Sequence, residues 1–318
     1  MVKSRLKKSI NLFLASPRGF CAGVDRAITI VEKALERYGS PIYVQHEIVH
    51  NKHVVQRLQK NGVVFVENVD QIPEGSHVIY SAHGVSPEVR KRSKKLNLKV
   101  LDATCPLVTK VHGEAKRYSK IGYVIILIGH QNHVEVQGTV GEAPDQIVVV
   151  GSVEEVYSLE VPDENKVGYI TQTTLSLDDT EKIIKALKKK FPKIKGPPKA
   201  DICYATQNRQ NAVKALSKKV DLVLVVGAQN SSNSLRLLEV AKTTGVKARR
   251  IESATELNEG WLEGINNIGI TAGASAPENI IQGIVQEIRK FVPINSVITL
   301  EIVKEDVTFA LPSVLRDL

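Results

Sequence analysis

The sequence predicts an α/β protein of three similar lobes, each a small parallel sheet covered by helices. The three cysteines are evenly spaced, since 84 residues separate Cys21 from Cys105 and 98 separate Cys105 from Cys203. Each cysteine follows an apolar run, where a strand would pass into a helix. Later runs such as Leu222–Val226 are continuous and rich in valine and leucine, which is typical of parallel strands buried on both faces. The cysteines therefore mark one position in three successive lobes, and three thiolates could meet on a central axis.

Two polar loops recur in each lobe. The first follows a strand-like run 28 or 29 residues after the cysteine and contains His50, His133 or Ser231. The second comes after a further short strand and before a helix, and its three copies span 80–86, 170–176 and 270–276. Ligands of open parallel sheets bind where such loops leave the carboxyl ends of the strands.

The repeat sets the expected lobe boundaries. We place the first lobe at residues 10–102, the second at 103–197 and the third at 198–292. The remaining tail, 293–318, contains extended segments and is expected to pack back on the body. No chemistry is assigned to it.

Composition bounds the function without deciding it. The 318 residues include 43 Lys and Arg against 34 Asp and Glu, a net charge of +9 that suits an anionic ligand or an acidic protein partner. Only 5% of residues are aromatic and the lysines are scattered, so nucleic-acid binding is not expected. No apolar run reaches the length of a membrane span, and Met1–Lys8 lacks the features of a signal peptide. We expect a cytoplasmic protein.

An odd number of dispersed cysteines without a leader predicts free thiols in a reducing compartment. No C-x-x-C pair is present, so a metal site would be assembled by the tertiary fold, and soft thiolates favour zinc, copper(I) or an iron–sulfur cluster. Three buried cysteines acting as small hydrophobes are the alternative, which the three-fold placement disfavours. A mixed cysteine and histidine site is disfavoured too, because the histidines come after the next strand in each lobe.

The polar loops carry anion-binding chemistry. Asn230–Ser234 precedes a helical pattern, where hydroxyls and free N–H groups suit a phosphate, although for this segment taken alone simple helix capping is the favoured explanation. His50, His83 and His133 occupy loop positions of the same repeat and add hydrogen-bond donors. The remaining histidines lack this registration and are interpreted as structural or supporting: His46, His53, His77, His112 and His130.

Glu135 is the candidate acid. It stands two residues after His133, in the same loop, and the second loop of its lobe contributes Thr173 and Thr174. A carboxyl directed at a buried cluster can donate a proton, with a threonine hydroxyl relaying or orienting it. An exposed glutamate is the alternative for any isolated position, and the neighbouring residues favour the acid.

Seven segments in order resemble the signature segments of the 4-hydroxy-3-methylbut-2-enyl diphosphate reductases, the LytB/IspH family. They span nearly the whole chain and are Pro17–Ala27, His46–Asn51, Ser81–Ser86, Asp102–Val108, Thr171–Ser176, Asp201–Thr206 and Asn230–Ser234. The resemblance implies a pseudo-three-fold trefoil of three α/β lobes around a central 4Fe-4S cluster. It implies that three cysteines hold the cluster, here Cys21, Cys105 and Cys203, and that one iron stays open.

The implied reaction is the last step of the non-mevalonate isoprenoid pathway, a two-electron reductive dehydroxylation that gives isopentenyl and dimethylallyl diphosphates. By position, Glu135 would be the proton source and Thr173 would contact the substrate hydroxyl. The residues that would hold the diphosphate are His50, His83, His133, Ser231, Ser232, Asn233 and Ser275. A basic surface would suit an acidic ferredoxin or flavodoxin as electron donor.

The chain departs from the family pattern at two positions beside Glu135. Family members commonly have His-Pro-Glu-Val-Glu-Gly where this chain has His133-Val134-Glu135-Val136-Gln137-Gly138. Loss of the proline is expected to loosen the loop, and Gln137 cannot titrate.

Two other function classes remain open from the sequence. An open-iron cluster also suits a hydratase or dehydratase that works without an electron donor. A basic, cluster-bearing sensing protein is the non-enzymatic alternative, and it would show tight, salt-dependent binding to nucleic acid.

Overall fold

A computed structural model describes residues 9–316 of the chain. The basic opening segment of residues 1–8 and the last two residues of the tail lie outside this description. Within residues 9–316 the chain forms twelve strands and ten α-helices. Among these residues no helix has both the length and the apolar character needed to span a membrane.

The twelve strands are short, as is usual for small parallel sheets. They are β1 (Ile10–Ser16), β2 (Ile42–Gln45), β3 (Val63–Val66), β4 (His77–Tyr80), β5 (Lys99–Asp102), β6 (Val124–Ile128), β7 (Ile147–Val150), β8 (Val167–Thr171), β9 (Leu222–Val226), β10 (Lys247–Ile251), β11 (Asn267–Ala272) and β12 (Ile294–Glu301).

The ten α-helices alternate with the strands. They are α1 (Ala22–Tyr38), α2 (Lys52–Lys60), α3 (Pro87–Lys95), α4 (Pro106–Lys120), α5 (Val134–Val140), α6 (Val153–Ser158), α7 (Leu177–Lys190), α8 (Tyr204–Ser217), α9 (Ser232–Thr243) and α10 (Glu278–Phe291). Short 3-10 helices lie at Val69–Gln71, Ala254–Glu256, Glu259–Leu262 and Ser313–Leu315.

The chain divides into two compact units. The part up to Cys21 and Tyr204–Val307 form one, called here the single-sheet unit. Its five strands are all parallel, in the order β10-β9-β11-β1-β12. Apolar side chains of α10 pack on one face of this sheet and those of α8 and α9 on the other. Burial on both faces explains the continuous apolar run of β9.

Ala22–Cys203 and the end of the chain from Thr308 form the other unit, called here the two-sheet unit. Its first sheet has the parallel order β3-β2-β4-β5, and its second has the parallel order β7-β6-β8. In β6, Ile126 and Ile128 pack with α7 while Ile125 and Leu127 pack with α4. The prediction of an α/β protein with parallel sheets is confirmed.

The first strand is placed differently from our expectation. Residues 10–16 were expected to open the first lobe, but β1 pairs with β11 and β12 in the single-sheet unit. Strand pairing depends on a partner more than 250 residues away in sequence, which the local pattern of β1 does not encode. In the tail, β12 is a strand of that sheet and the segment after Val307 belongs to the two-sheet unit.

Candidate active site

Three imidazole rings lie together in the two-sheet unit. His50 follows β2, His83 follows β4 and His133 follows β6, so strands of both sheets present them at their carboxyl ends. The ring centroids of His50 and His83 are 4.0 Å apart and the rings are stacked. His133 meets both rings edge-on, at 5.4 Å from His50 and 6.0 Å from His83. We call these residues the histidine cluster.

Hydrogen bonds orient two rings of the histidine cluster. Nδ1 of His133 accepts a hydrogen bond of 3.2 Å from the backbone N–H of Glu135, so the neutral ring carries its proton on Nε2. Nδ1 of His50 lies 3.1 Å from a carboxylate oxygen of Glu47, to which it donates. The Nε2–H of His133 is thus left as a donor for a ligand.

The rings of His83 and His133 are neutral at neutral pH. Burial lowers the pKa of His83 well below its ordinary value of 6.5, and the neighbouring His50 and His133 lower it further. Burial, with a contribution from His50, lowers the pKa of His133 to about 3. An anion placed among these rings would favour their charged forms, because an opposite charge nearby raises a histidine pKa. The histidine cluster therefore has the chemistry of an anion site.

Glu135, whose backbone N–H bonds to His133, is 3% exposed. Its Oε1 accepts the backbone N–H of Thr173 at 2.7 Å, and its Oε2 lies 2.9 Å from the Thr173 hydroxyl. Helix α5 and the loop after β8 hold these two residues. The structure thus brings Glu135 and Thr173 together as the sequence suggested.

Burial raises the pKa of Glu135 from 4.5 to about 7. The two hydrogen bonds from Thr173 favour the carboxylate and oppose this rise, while the negative charge of Asp201 adds to it. A carboxyl that titrates near neutral pH is matched to the task of a general acid, because both protonation states are accessible at the working pH.

The raised pKa of Glu135 makes stability depend on pH. Because the folded state binds this proton more tightly than the unfolded state, the stabilisation is complete below pH 4.5 and is lost as pH rises through about 7. Two and a half pKa units correspond to about 3 kcal/mol. In urea unfolding, we expect Glu135→Gln to gain about 3 kcal/mol relative to wild type across this window.

Comparing Glu135→Gln with wild type cancels the effects of other titrating groups on stability, because both proteins contain those groups. Buried His83 and His133 have lowered pKa values and destabilise the fold as pH falls below 6.5, but they do so in both proteins. Parallel stability curves for wild type and Glu135→Gln would contradict the raised pKa.

Each cysteine directly precedes the first residue of a helix, α1, α4 or α8. All three are half-buried and none forms a disulfide. Each cysteine N–H also donates to a carbonyl in one of the recurring second loops. The pairs are Cys21 to Ala274 at 3.3 Å, Cys105 to Ala82 at 3.0 Å and Cys203 to Thr173 at 3.0 Å. The three cysteines therefore share one local setting, as the repeat predicted.

The donor set of three free cysteine thiols fits an iron–sulfur cluster. Thiolates are the usual ligands of such clusters, and the positive end of a helix stabilises negative charge placed before it. Among residues 9–316, no three His, Cys, Asp or Glu side chains are grouped to hold one metal ion.

The polar loops of the single-sheet unit meet through Asn233. Its Oδ1 accepts the backbone N–H of Ala274 at 2.9 Å, which ties the start of α9 to the loop that holds Ser275. Ser231 caps α9, and its hydroxyl accepts from the N–H and the hydroxyl of Ser234. Ser231, Asn233 and Ser275 are buried, and Ser232 is the first residue of α9. Helix capping, the alternative stated from the sequence, thus accounts for the position of Ser231.

Sequence reasoning missed Asp201. Its side chain is fully buried, accepts the N–H of Thr171 at 2.9 Å and pairs with the Lys110 ammonium at 2.9 Å. These contacts tie the segment before Cys203 to the end of β8, close to Thr173. The one available signal was that Asp201 and Asp102 stand two and three residues before a cysteine.

His112 and Glu142 form a buried pair next to the loop that holds His83. Nδ1 of His112 lies 2.7 Å from a carboxylate oxygen of Glu142. Burial alone would raise the pKa of Glu142, but hydrogen bonds from His112 and Lys116 lower it. The His112 ring packs so close to Gly84, next to His83, that a Cβ there would lie 3.3 Å from the ring. This supporting role agrees with the interpretation of His112 from the sequence.

The two departures from the family pattern line a cavity whose lining does not include Glu135. Val134 and Gln137 line a small cavity together with Ser86, the N-cap of α3, and Val89 of the same helix. The Glu135 carboxyl instead contacts Thr173, in the loop after β8. A change of charge at Gln137 therefore does not alter the hydrogen bonds of the acid.

Comparison with known proteins gives one answer. The family model described as "LytB protein" matches residues 12–289. A protein of Shewanella oneidensis named 4-hydroxy-3-methylbut-2-enyl diphosphate reductase is 54% identical over 312 residues, which cover 97% of this chain and 98% of the relative.

Two solved structures are similar as well. The E-1-hydroxy-2-methyl-but-2-enyl-4-diphosphate reductase of Plasmodium falciparum has a TM-score of 0.93 and 42% identity, and the match covers 97% of each chain. A reductase described as the terminal enzyme of the non-mevalonate pathway has a TM-score of 0.63 and 34% identity, over 88% of this chain and 99% of that one.

Proposed function

This chain belongs to the LytB protein family, and on that premise we propose that it reduces 4-hydroxy-3-methylbut-2-enyl diphosphate to isopentenyl and dimethylallyl diphosphates. The reaction consumes two electrons and two protons: one proton leaves with the allylic hydroxyl as water, and the other is added to a carbon of the allyl group. The observation that carries the proposal is the buried Glu135 carboxyl, with a pKa of about 7, two residues along the chain from His133 of the histidine cluster. Reductive dehydroxylation of a diphosphate needs both a proton donor and an anion site.

We propose that the histidine cluster binds the diphosphate. The imidazoles of His83 and His133 can become charged when the anion arrives, which strengthens every hydrogen bond they donate. In the single-sheet unit, the proposal assigns diphosphate binding to Ser231, Ser232, Asn233 and Ser275. Binding the non-reacting end of the substrate fixes the position of its hydroxyl, and orientation of this kind supplies much of an enzymatic rate.

Glu135 is the proposed proton donor for the leaving hydroxyl. Near pH 7 about half of the Glu135 side chains carry a proton. The Thr173 hydroxyl, 2.9 Å from Oε2, can accept that proton while donating its own to the substrate oxygen. Glu135 and Thr173 therefore form a two-group relay that releases water instead of hydroxide.

The proposal assigns ligation of a 4Fe-4S cluster to Cys21, Cys105 and Cys203, with one iron left open. When bound, the cluster supplies the two electrons and a Lewis-acidic iron for the hydroxyl. The chain contributes three thiolates. The backbone N–H of each cysteine is held by a hydrogen bond, and each cysteine directly precedes a helix.

The electron donor and the compartment are part of the same proposal. The net charge of +9 favours an acidic one-electron carrier such as a ferredoxin or a flavodoxin, because opposite charges steer association. Three thiols that form no disulfide fit a reducing compartment such as the cytoplasm.

Anaerobic purification with iron and sulfide analysis, followed by a substrate assay on the same sample, tests the proposal. We expect a brown protein with about four irons per chain that converts the hydroxylated diphosphate only when a reductant is present. The matched control is the same protein without reductant.

Two results would contradict the proposal. A colourless or zinc-only protein after anaerobic work would remove the reductase while leaving the fold unchanged. Turnover without reductant would instead identify a hydratase or dehydratase.

A further inference from the structure

A fully buried arginine holds the backbone just before Cys21. Arg209, on α8 in the single-sheet unit, is 0% exposed. Its guanidinium donates to the Gly19 carbonyl at 2.7 Å and 3.2 Å and to the Phe20 carbonyl at 3.2 Å. The two residues that precede Cys21 are thus fixed by one side chain.

The charge of Arg209 is balanced from the C-terminal part of the chain. Glu305 follows β12, and its carboxylate accepts from Nη1 of Arg209 at 3.0 Å and 3.2 Å. Asn208 donates a third hydrogen bond of 3.0 Å to Glu305. The Glu305 side chain is 14% exposed, so the pair is largely shielded from water.

This geometry links two segments far apart in sequence. A buried guanidinium without a counter-ion is strongly unfavourable, so Arg209 keeps its place only while Glu305 is present. The Gly19 N–H donates to Ala272 at 3.3 Å and the Cys21 N–H to Ala274 at 3.3 Å, so movement of Arg209 would loosen both bonds.

We propose that Glu305, acting through Arg209, is a positioning residue that holds Cys21 in the conformation that ligates the cluster. This inference rests on the proposed role of Cys21 as a ligand. It gives the tail segment after β12 a function that the sequence pattern did not suggest.

Glu305→Gln tests the proposal, because it removes the charge while keeping the shape of the side chain. Hydrogen exchange of the cluster-free protein is measured at Gly19 and Cys21, and iron retention and the electron paramagnetic resonance spectrum are measured on the loaded protein. We expect exchange at these amides to accelerate about tenfold and iron retention to fall. Asp306→Asn is the matched control, since the Asp306 side chain is 75% exposed and is expected to change neither.

A double variant separates positioning from stability. Arg209→Met together with Glu305→Met removes both charges and is expected to restore thermal stability, because an apolar pair can replace a buried ion pair. If positioning is the role, the double variant still exchanges fast at Cys21, loses iron and shows an altered resonance spectrum.

Two outcomes would overturn the inference. One is wild-type exchange and iron retention in Glu305→Gln, and the other is full recovery of both in the double variant. Wild-type protein without any cluster would instead defeat the proposed function, and the exchange measurement would still decide whether Glu305 holds the loop.

Discussion

Glu135→Gln is expected to lower turnover by about 10²- to 10⁴-fold, the contribution usual for a general acid, while iron content stays at the wild-type level. The amide has the shape of the carboxyl and still accepts the Thr173 N–H now bonded to Oε1 at 2.7 Å. It cannot deliver a proton. Turnover and iron content measured on one anaerobic preparation check the prediction.

The control for this variant lies on the same helix. Gln137→Glu makes the opposite change two residues further on and restores the family pattern there. Because Gln137 lines a cavity with Ser86 and Val89, whereas the Glu135 carboxyl bonds to Thr173, we expect unchanged turnover. Near wild-type activity in Glu135→Gln, or a large loss in Gln137→Glu, would contradict our assignment of the acid.

Cys105→Ser is expected to lower iron content well below the wild-type value and to reduce turnover by about 100-fold or more, since even lost supporting contacts cost 10- to 100-fold. A serine hydroxyl is a hard, weakly acidic ligand that replaces a soft thiolate poorly. Cys21→Ser and Cys203→Ser are expected to behave alike, because all three cysteines share one local setting.

Thr109→Ser is the control for the cysteine variants. Thr109 lies one turn along α4, and its hydroxyl donates to the Cys105 carbonyl at 3.3 Å, a bond that serine can keep. Full iron content in any of the three cysteine variants would contradict the assigned ligand set.

The local features of the site could be predicted from the sequence because short patterns encode them. A cysteine between an apolar run and a helix start predicts its own setting, and the structure places Cys21, Cys105 and Cys203 directly before helices. The loops after β2 and β4 are also local, and the meeting of His50 and His83 follows from neighbouring strands of one sheet whose carboxyl ends share an edge. His133 follows β6 of the other sheet, so its place beside them depends on how the two sheets pack.

The long-range features could not be predicted because no local pattern encodes a distant partner. Strand β1 resembles any short apolar strand, yet it pairs with β11 and β12 near the other end of the chain. Arg209 and Glu305 look like surface residues in the sequence, since buried charges are rare and become visible only through their partners. Asp201 was missed for the same reason.

Electron stoichiometry tests the central claim most directly. Reduced, anaerobic protein with about four irons per chain is mixed with a known amount of the hydroxylated diphosphate, and electrons consumed and alkenyl diphosphates formed are counted together. We predict two electrons per product molecule, with isopentenyl and dimethylallyl diphosphates both present. Product formed without electron consumption, or electrons consumed without loss of the hydroxyl, would contradict the account.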